Sequence, residues 1–134
     1  MPNQHTFIMV KPDGVARGLV GEVIGRFETK GLTLNRMRML AIPEDMAAEH
    51  YGEHIGKAFY ADLVEFITSG PVVAMEWSGP DAVAVGRALM GTTNPIEASP
   101  GTIRGDFGLE IGENIVHGSD SPESAARELG IFFG

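Results

Sequence analysis

The segment of this chain best suited to chemistry is Asn114-Ile115-Val116-His117-Gly118-Ser119-Asp120. A neutral imidazole is a good nucleophile toward phosphorus, and a covalent intermediate divides one difficult transfer into two easier ones. His117 stands at the end of a short apolar run and is followed by Gly118 and a helix start. That arrangement holds a ring at a rigid edge. Glu128, about two turns into the following helix, is placed to orient the imidazole through one nitrogen. A lone histidine is more often a satisfied core or surface residue. The weight here lies on the seven-residue run rather than on the histidine.

Three other groups carry weaker signals. Lys11-Pro12-Asp13-Gly14 follows a strand-like apolar segment, which puts Lys11 at a strand end; a single lysine is ordinarily just a solvated charge. Arg87, Thr93 and Arg104 flank a long Gly- and Pro-containing stretch and offer two guanidinium forks and a hydroxyl, a set suited to phosphate. His50-Tyr51-Gly52-Glu53-His54 matches the H-x-x-E-H zinc signature. Against zinc, Gly52 weakens the helix that would align His50 with His54, and no third ligand is evident. Gly18, Gly21 and Gly25 lack the spacing of a dinucleotide loop, and no Walker-type lysine loop occurs. Close helix packing is the simpler reason for those glycines.

Composition constrains what these groups meet. The net charge of −8, with three lysines (Lys11, Lys30, Lys57) against twelve glutamates, argues against a nucleic-acid surface, which needs a basic patch to meet phosphates. A nucleotide ligand would therefore need the few cations gathered at its phosphates. The absence of cysteine removes disulfides, thiol catalysis and thiolate metal sites together. No run approaches the roughly 18 apolar residues of a membrane span, and the first residues lack the pattern of a signal peptide. The expectation is a cytoplasmic protein with no membrane partner.

The elements that must position these residues follow from periodicity. Residues 5–10 read as a buried strand stopped at Lys11-Pro12-Asp13-Gly14. Leu19, Val20, Val23, Ile24 and Phe27 share a helical face closed by Gly31. Residues 32–40 suit a second strand, and Pro43-Glu44-Asp45 opens a helix through about His54. A helix over 59–69 turns Leu63, Phe66 and Ile67 inward; a third strand covers 71–77, and a helix covers 80–90. The stretch 92–114 shows no period, and long irregular loops are usually functional. A short strand over 114–117 leads to a helix with Ser121 as cap and Pro122 first. One domain spanning 1–134 results, an α+β sandwich of helices over an antiparallel sheet.

The His117 run, taken with Lys11-Pro12-Asp13-Gly14, resembles the nucleoside diphosphate kinase family. The similarity extends through Arg17-Gly18-Leu19, the stretch Phe27 to Leu32, His50-Tyr51 to Phe59 and Ser69-Gly70-Pro71-Val72. It continues through Thr93-Asn94-Pro95 and Pro100 to Phe107. The resemblance implies a ferredoxin-like βαββαβ fold. It also implies ping-pong transfer of a terminal phosphate from a nucleoside triphosphate to a diphosphate, with broad base and sugar use. His117 matches the nucleophile, phosphorylated on Nδ1, and Glu128 and Ser119 match the residues that hold its ring. Lys11 and Asn114 match contacts to the sugar hydroxyls, Lys11 also reaching the transferred phosphate. Arg87, Thr93 and Arg104 match the phosphate clamp, and Tyr51 matches a tyrosine beside the histidine. Phe59 matches the aromatic under the base, with Ile111 opposite.

No carboxylate pair is present to hold a metal, so Mg²⁺ is expected to arrive on the nucleotide phosphates. The family builds hexamers or tetramers from a common dimer, and the loop around Pro95 and Pro100 joins subunits in the hexamers. A hexamer built from dimers is therefore expected. Two other functions compete: a non-catalytic nucleotide-binding domain, which would need neither His117 nor Glu128, and a zinc hydrolase through His50, Glu53 and His54.

Overall fold

The computed structural model describes residues 3–134. Four strands, β1 (Asn3–Val10), β2 (Thr33–Ala41), β3 (Pro71–Pro80) and β4 (Val116–Gly118), form one antiparallel sheet in the order β2-β3-β1-β4. The helices are α1 (Pro12–Ala16), α2 (Val20–Lys30), α3 (Glu44–His50), α4 (Tyr60–Ile67), α5 (Ala82–Met90), α6 (Ile103–Phe107) and α7 (Pro122–Phe133). Short 3-10 turns cover Gly52–His54 and Pro95–Glu97. Among the described residues, no helix is long and apolar enough to cross a membrane.

The near-continuous apolar runs of β1 and β3 are explained by helices on both faces of the sheet. On one face Ile8, Val10, Val73, Met75 and Trp77 meet Val23 and Phe27 of α2 and Ala82 and Met90 of α5. On the other, Phe7, Met9, Val72 and Ala74 meet Ala47, Ile67 and Phe132. This is the α+β sandwich expected from element order, in the ferredoxin-like form that the family resemblance implies.

Several boundaries differ from the sequence expectation. Lys11-Pro12-Asp13-Gly14 does more than stop β1, because Pro12 opens α1. The helix expected to reach His54 ends at His50, and the chain tightens into a 3-10 turn starting at Gly52, a poor helix former. β3 runs on to Pro80, so α5 starts at Ala82 after Asp81 enters the left-handed region at φ 50°. Of the three residues expected inward on α4, Ile67 is buried, while Leu63 and Phe66 are half-buried and outside the core. The stretch 92–114 is not irregular throughout, since it contains α6, capped by the Thr102 hydroxyl accepting from Gly105 N–H. The last strand begins at Val116, two residues later than expected, because the chain turns sharply at Ile115.

Candidate active site

That sharp turn sits immediately before His117. Val116 N–H donates to the carbonyl of Asn114 at 2.8 Å, and Ile115 between them has φ 76°. This is a γ-turn of the rare positive-φ kind, which a β-branched residue occupies only under strain. The Lys11-Pro12-Asp13-Gly14 segment holds it in place. Asp13 Oδ2 accepts from Ile115 N–H at 3.0 Å, and the Ile115 carbonyl accepts from Lys11 N–H at 2.8 Å. Gly14 permits this approach, for a Cβ there would lie 2.7 Å from Val10 Cγ1 and 3.0 Å from the Ile115 carbonyl oxygen. Lys11 Nζ then donates to Asn114 Oδ1 at 2.7 Å, and Asn114 Nδ2 donates to the Thr93 carbonyl at 2.8 Å.

His117 pairs with Met9 of β1 in the sheet, and its side chain is three-quarters covered. Its Nε2 lies 2.7 Å from Glu128 Oε2, while Ser119 Oγ donates to Glu128 Oε1 at 2.5 Å. Burial works to raise the Glu128 pKa, but its hydrogen bonds and charge interaction with His117 and the bond from Ser119 hold it below the usual carboxylate range. An ionised carboxylate only accepts, so the ring proton sits on Nε2 and the lone pair on Nδ1 is free. Packing behind the histidine is tight: a Cβ on Gly118 would press on the end of the Met90 side chain and lie 3.0 Å from Ile8 Cδ1, so Met90 would have to shift.

A cavity of about 620 Å³ opens over this ring, lined by Lys11, Tyr51, Phe59, Arg87, Thr93, Arg104, Asn114, His117 and Glu128 among others. Ten of the residues assigned from sequence thus converge, if Ser119 is counted through its bond to Glu128. Ile111 does not: it is 61% exposed and outside the cavity lining. The cations answer the composition constraint, with Lys11, Arg87, Arg104 and Arg127 around one cavity of an acidic protein.

Their roles are unequal. Arg87 makes one long bond, Nη1 to the Gly118 carbonyl at 3.3 Å, and keeps most of its donors for a ligand. Arg104 is buried and uses all three nitrogens on backbone carbonyls: Gly91 at 3.0 Å, Asn114 at 3.3 Å and Val116 at 2.7 Å. Three of its five N–H groups are therefore committed to backbone, two on the γ-turn and one on the end of α5. Burial, with Arg87 nearby, lowers its pKa to about 10, so it stays charged at neutral pH. Lys11 is pulled down further, to about 8, by burial and then by Arg104. Burial, and then Glu128, push the Tyr51 phenol up to about 12, so it remains a donor.

Sequence reasoning missed three contributors. Asp13 was legible only as part of a strand stop. Arg127 precedes Glu128 on α7 and donates to the carbonyls of Glu49 and His50 at the C-terminal end of α3, a contact with no local signal. The H-x-x-E-H spacing pairs His50 with His54 on one helix, but α3 ends between them. His54 faces Phe59, ring centroids 5.3 Å apart, while His50 is buried 4.7 Å from the His117 ring. Burial, with His117 beside it, lowers His50 to about 3, and neither of its ring nitrogens has a hydrogen-bond partner. Among the described residues, the one group of three side chains placed to ligate a metal is His50, His117 and Glu128. Two imidazoles do not suit Mg²⁺, which takes oxygen ligands.

A strand-edge histidine tied to a buried carboxylate, under a cation-lined cavity, is a phosphoryl-transfer arrangement, and sequence comparison agrees. Residues 4–134 match the family profile described as nucleoside diphosphate kinase. The chain belongs to the nucleoside diphosphate kinase family. Members of that family move a terminal phosphate between nucleotides through a phosphohistidine, and membership makes this chain a phosphotransferase of that class. It is 62% identical to a nucleoside diphosphate kinase of Bacillus licheniformis over 97% of this chain and 88% of the relative. It is likewise 62% identical to one of Archaeoglobus fulgidus, over 97% and 86%. A halophilic nucleoside diphosphate kinase from Halobacterium salinarum, solved in complex with CDP, superposes with TM-score 0.96 at 51% identity, covering 98% of this chain and 88% of that one. The Babesia bovis family protein superposes at 0.95 with 52% identity, covering 97% and 88%.

Proposed function

We propose that this chain is one nucleoside diphosphate kinase domain in which His117 Nδ1 attacks the γ-phosphorus of a nucleoside triphosphate. The phosphate then passes to a second nucleoside diphosphate. The observation that carries the assignment is the 2.7 Å contact from His117 Nε2 to Glu128. It holds the proton on Nε2 and leaves Nδ1 bare toward the cavity. As the N–P bond forms the ring gains positive charge, which Glu128 offsets, while Ser119 fixes the carboxylate. Phosphoryl transfer asks chiefly for position and positive charge. Arg87 meets the phosphates with free donors, Thr93 adds its hydroxyl, Lys11 adds a charge beside the nucleophile, and Arg104 contributes mainly field and shape. Asn114, turned by the γ-turn, and Lys11 take the sugar hydroxyls, and Tyr51 adds a donor at the back of the site.

Phe59 is 46% exposed at the cavity mouth and offers a base one ring face. Every base has such a face, so broad base use follows. Ile111 is assigned to the opposite face by the family resemblance alone. Mg²⁺ enters as part of the substrate, carried on the nucleotide phosphates, with no ligand from the protein. The enzyme works in the cytoplasm as a hexamer built from dimers. Two surfaces support assembly: the unpaired edge of β2, with Met37 at 54% and Met39 at 60% exposure, and the 92–114 segment with Ile96 exposed by 80%.

The decisive experiment mixes the protein with ATP, then adds GDP, CDP or UDP. The expected result is one acid-labile phosphate per subunit, passed to each acceptor at rates within about tenfold, since stacking contacts change modestly with the base. His117→Ala should keep fold and nucleotide binding yet form no phosphoenzyme. Substantial transfer by that variant would sink the mechanism.

A further inference from the structure

We infer that His50, His117 and Glu128 form a binding site for a zinc-class transition-metal ion, and that the ion, once bound, switches the nucleophile off. The inhibitory part rests on the assignment of His117 as the phosphate acceptor; the binding part does not.

The geometry points to a metal for three reasons. The donor atoms of the three side chains all lie within 4.8 Å of one another, with His50 Nδ1 3.8 Å and His117 Nε2 2.7 Å from the same carboxylate oxygen, Glu128 Oε2. Zinc at about 2.0–2.1 Å from nitrogen and oxygen holds tetrahedral ligands a little over 3 Å apart, so the wider pairs would close by up to about 1.5 Å while His117 Nε2 and Glu128 Oε2 part by roughly half an ångström. His50 is the second reason. Its side chain is 1% exposed, and both ring nitrogens are buried without a partner. A buried polar atom left unbonded is costly and is commonly explained by a water or an ion. Third, the carboxylate is already braced from behind by Ser119 Oγ on Oε1, the outer bond that orients a ligating carboxylate. Two histidines and one glutamate supply three ligands of a tetrahedral set and leave its fourth position open. The H-x-x-E-H signature therefore contributes one ligand, His50, and tertiary structure supplies the other two.

The consequence for catalysis follows from one proton. Neutral imidazole carries a single N–H. In the metal-free site that proton is on His117 Nε2, donated to Glu128, and Nδ1 is the bare nucleophile. A metal on Nε2 displaces the proton, and the ring keeps it at Nδ1. No proton is gained or lost overall, but the lone pair needed for attack on phosphorus is gone. Glu128 is simultaneously diverted from the ring to the ion.

The test uses full-length protein cleared of metal. Co²⁺ as a visible-spectrum probe, displaced by Zn²⁺, should bind at one equivalent per subunit with a tetrahedral absorption band. Zinc-edge X-ray absorption of the wild-type protein should count two imidazoles. His50→Gln and Glu128→Gln should each weaken binding at least tenfold, while His54→Ala binds as the parent does. Stoichiometric Zn²⁺ should slow phosphoenzyme formation from MgATP at least tenfold, restored by a zinc-selective chelator. One imidazole or none at the zinc, or unchanged affinity in His50→Gln, would overturn the site; the wild-type absorption count stands even if that variant folds poorly. Two imidazoles with phosphorylation at the metal-free rate would overturn the inhibition. A metal-free protein that never phosphorylates His117 would instead refute the function proposed above, and the imidazole count would still decide whether the site binds zinc.

Discussion

Asp13 and Ile115 are 102 positions apart in the chain, yet the Asp13 carboxylate accepts the Ile115 N–H at 3.0 Å and so pins the strained turn that sets the height of His117. The bond converts an acidic residue after β1 into a support for the nucleophile on β4.

Removing that support should cost both stability and rate. Asp13→Ala leaves a buried N–H without its acceptor, a loss of about 1–3 kcal/mol, and lets the turn relax out of positive φ. Urea unfolding and single-turnover phosphorylation should both report the defect, and Asp13→Asn, which keeps an oxygen, should recover much of each. A wild-type phosphorylation rate in Asp13→Ala would show that the turn holds without it.

The two arginines of the clamp should separate. Arg87→Ala should lower kcat/KM for ATP by roughly ten- to a hundredfold, the equivalent of about 1.5–3 kcal/mol in charge-assisted bonds, with little change in stability. Arg104→Ala should show a comparable kinetic loss together with a lower unfolding midpoint, because three backbone carbonyls lose their donor. Equal stability of the two variants would contradict the distinction.

Lys11 gives a pH signature. With its pKa lowered to about 8 by burial and then Arg104, the free enzyme loses this charge as pH rises through that value. Affinity for ADP should therefore fall above pH 8, by up to tenfold per unit, while Lys11→Arg, always charged, should flatten the profile. Folding stability should move oppositely. The unfolded chain holds this proton up to the ordinary 10.5, so stability rises between about 8 and 10.5 from this group. ADP affinity that is level from pH 7 to 10 would remove Lys11 from the phosphate site.

Assembly should depend on β2. The strand pairs with β3 on one side only, and an exposed edge bearing two methionines can pair antiparallel with its own copy about a twofold axis. Light scattering should give a hexamer in moderate salt, and Met37→Lys combined with Met39→Lys should reduce its mass. A monomer at micromolar concentration would refute the assembly; a dimer or tetramer would refute only the hexamer.

The sequence by itself determined the layered fold and most of the chemistry. Apolar period and helix caps are local, so Gly31 and Ser121 marked their helix boundaries, and the apolar run at residues 5–10 marked a buried strand. The residue types around His117 likewise named a nucleophile, an orienting acid and a set of cations. Tertiary structure decided what each of those groups does, because that depends on partners far away in the chain. Only the contact between α1 and the turn before β4 reveals Asp13 as a brace, and only the backbone of that turn shows Ile115 as strained. Only burial separates Arg104, committed to backbone carbonyls, from Arg87, free for phosphate. The end of α3 at His50 separates two histidines that sequence spacing paired, and places one of them beside the nucleophile and its carboxylate.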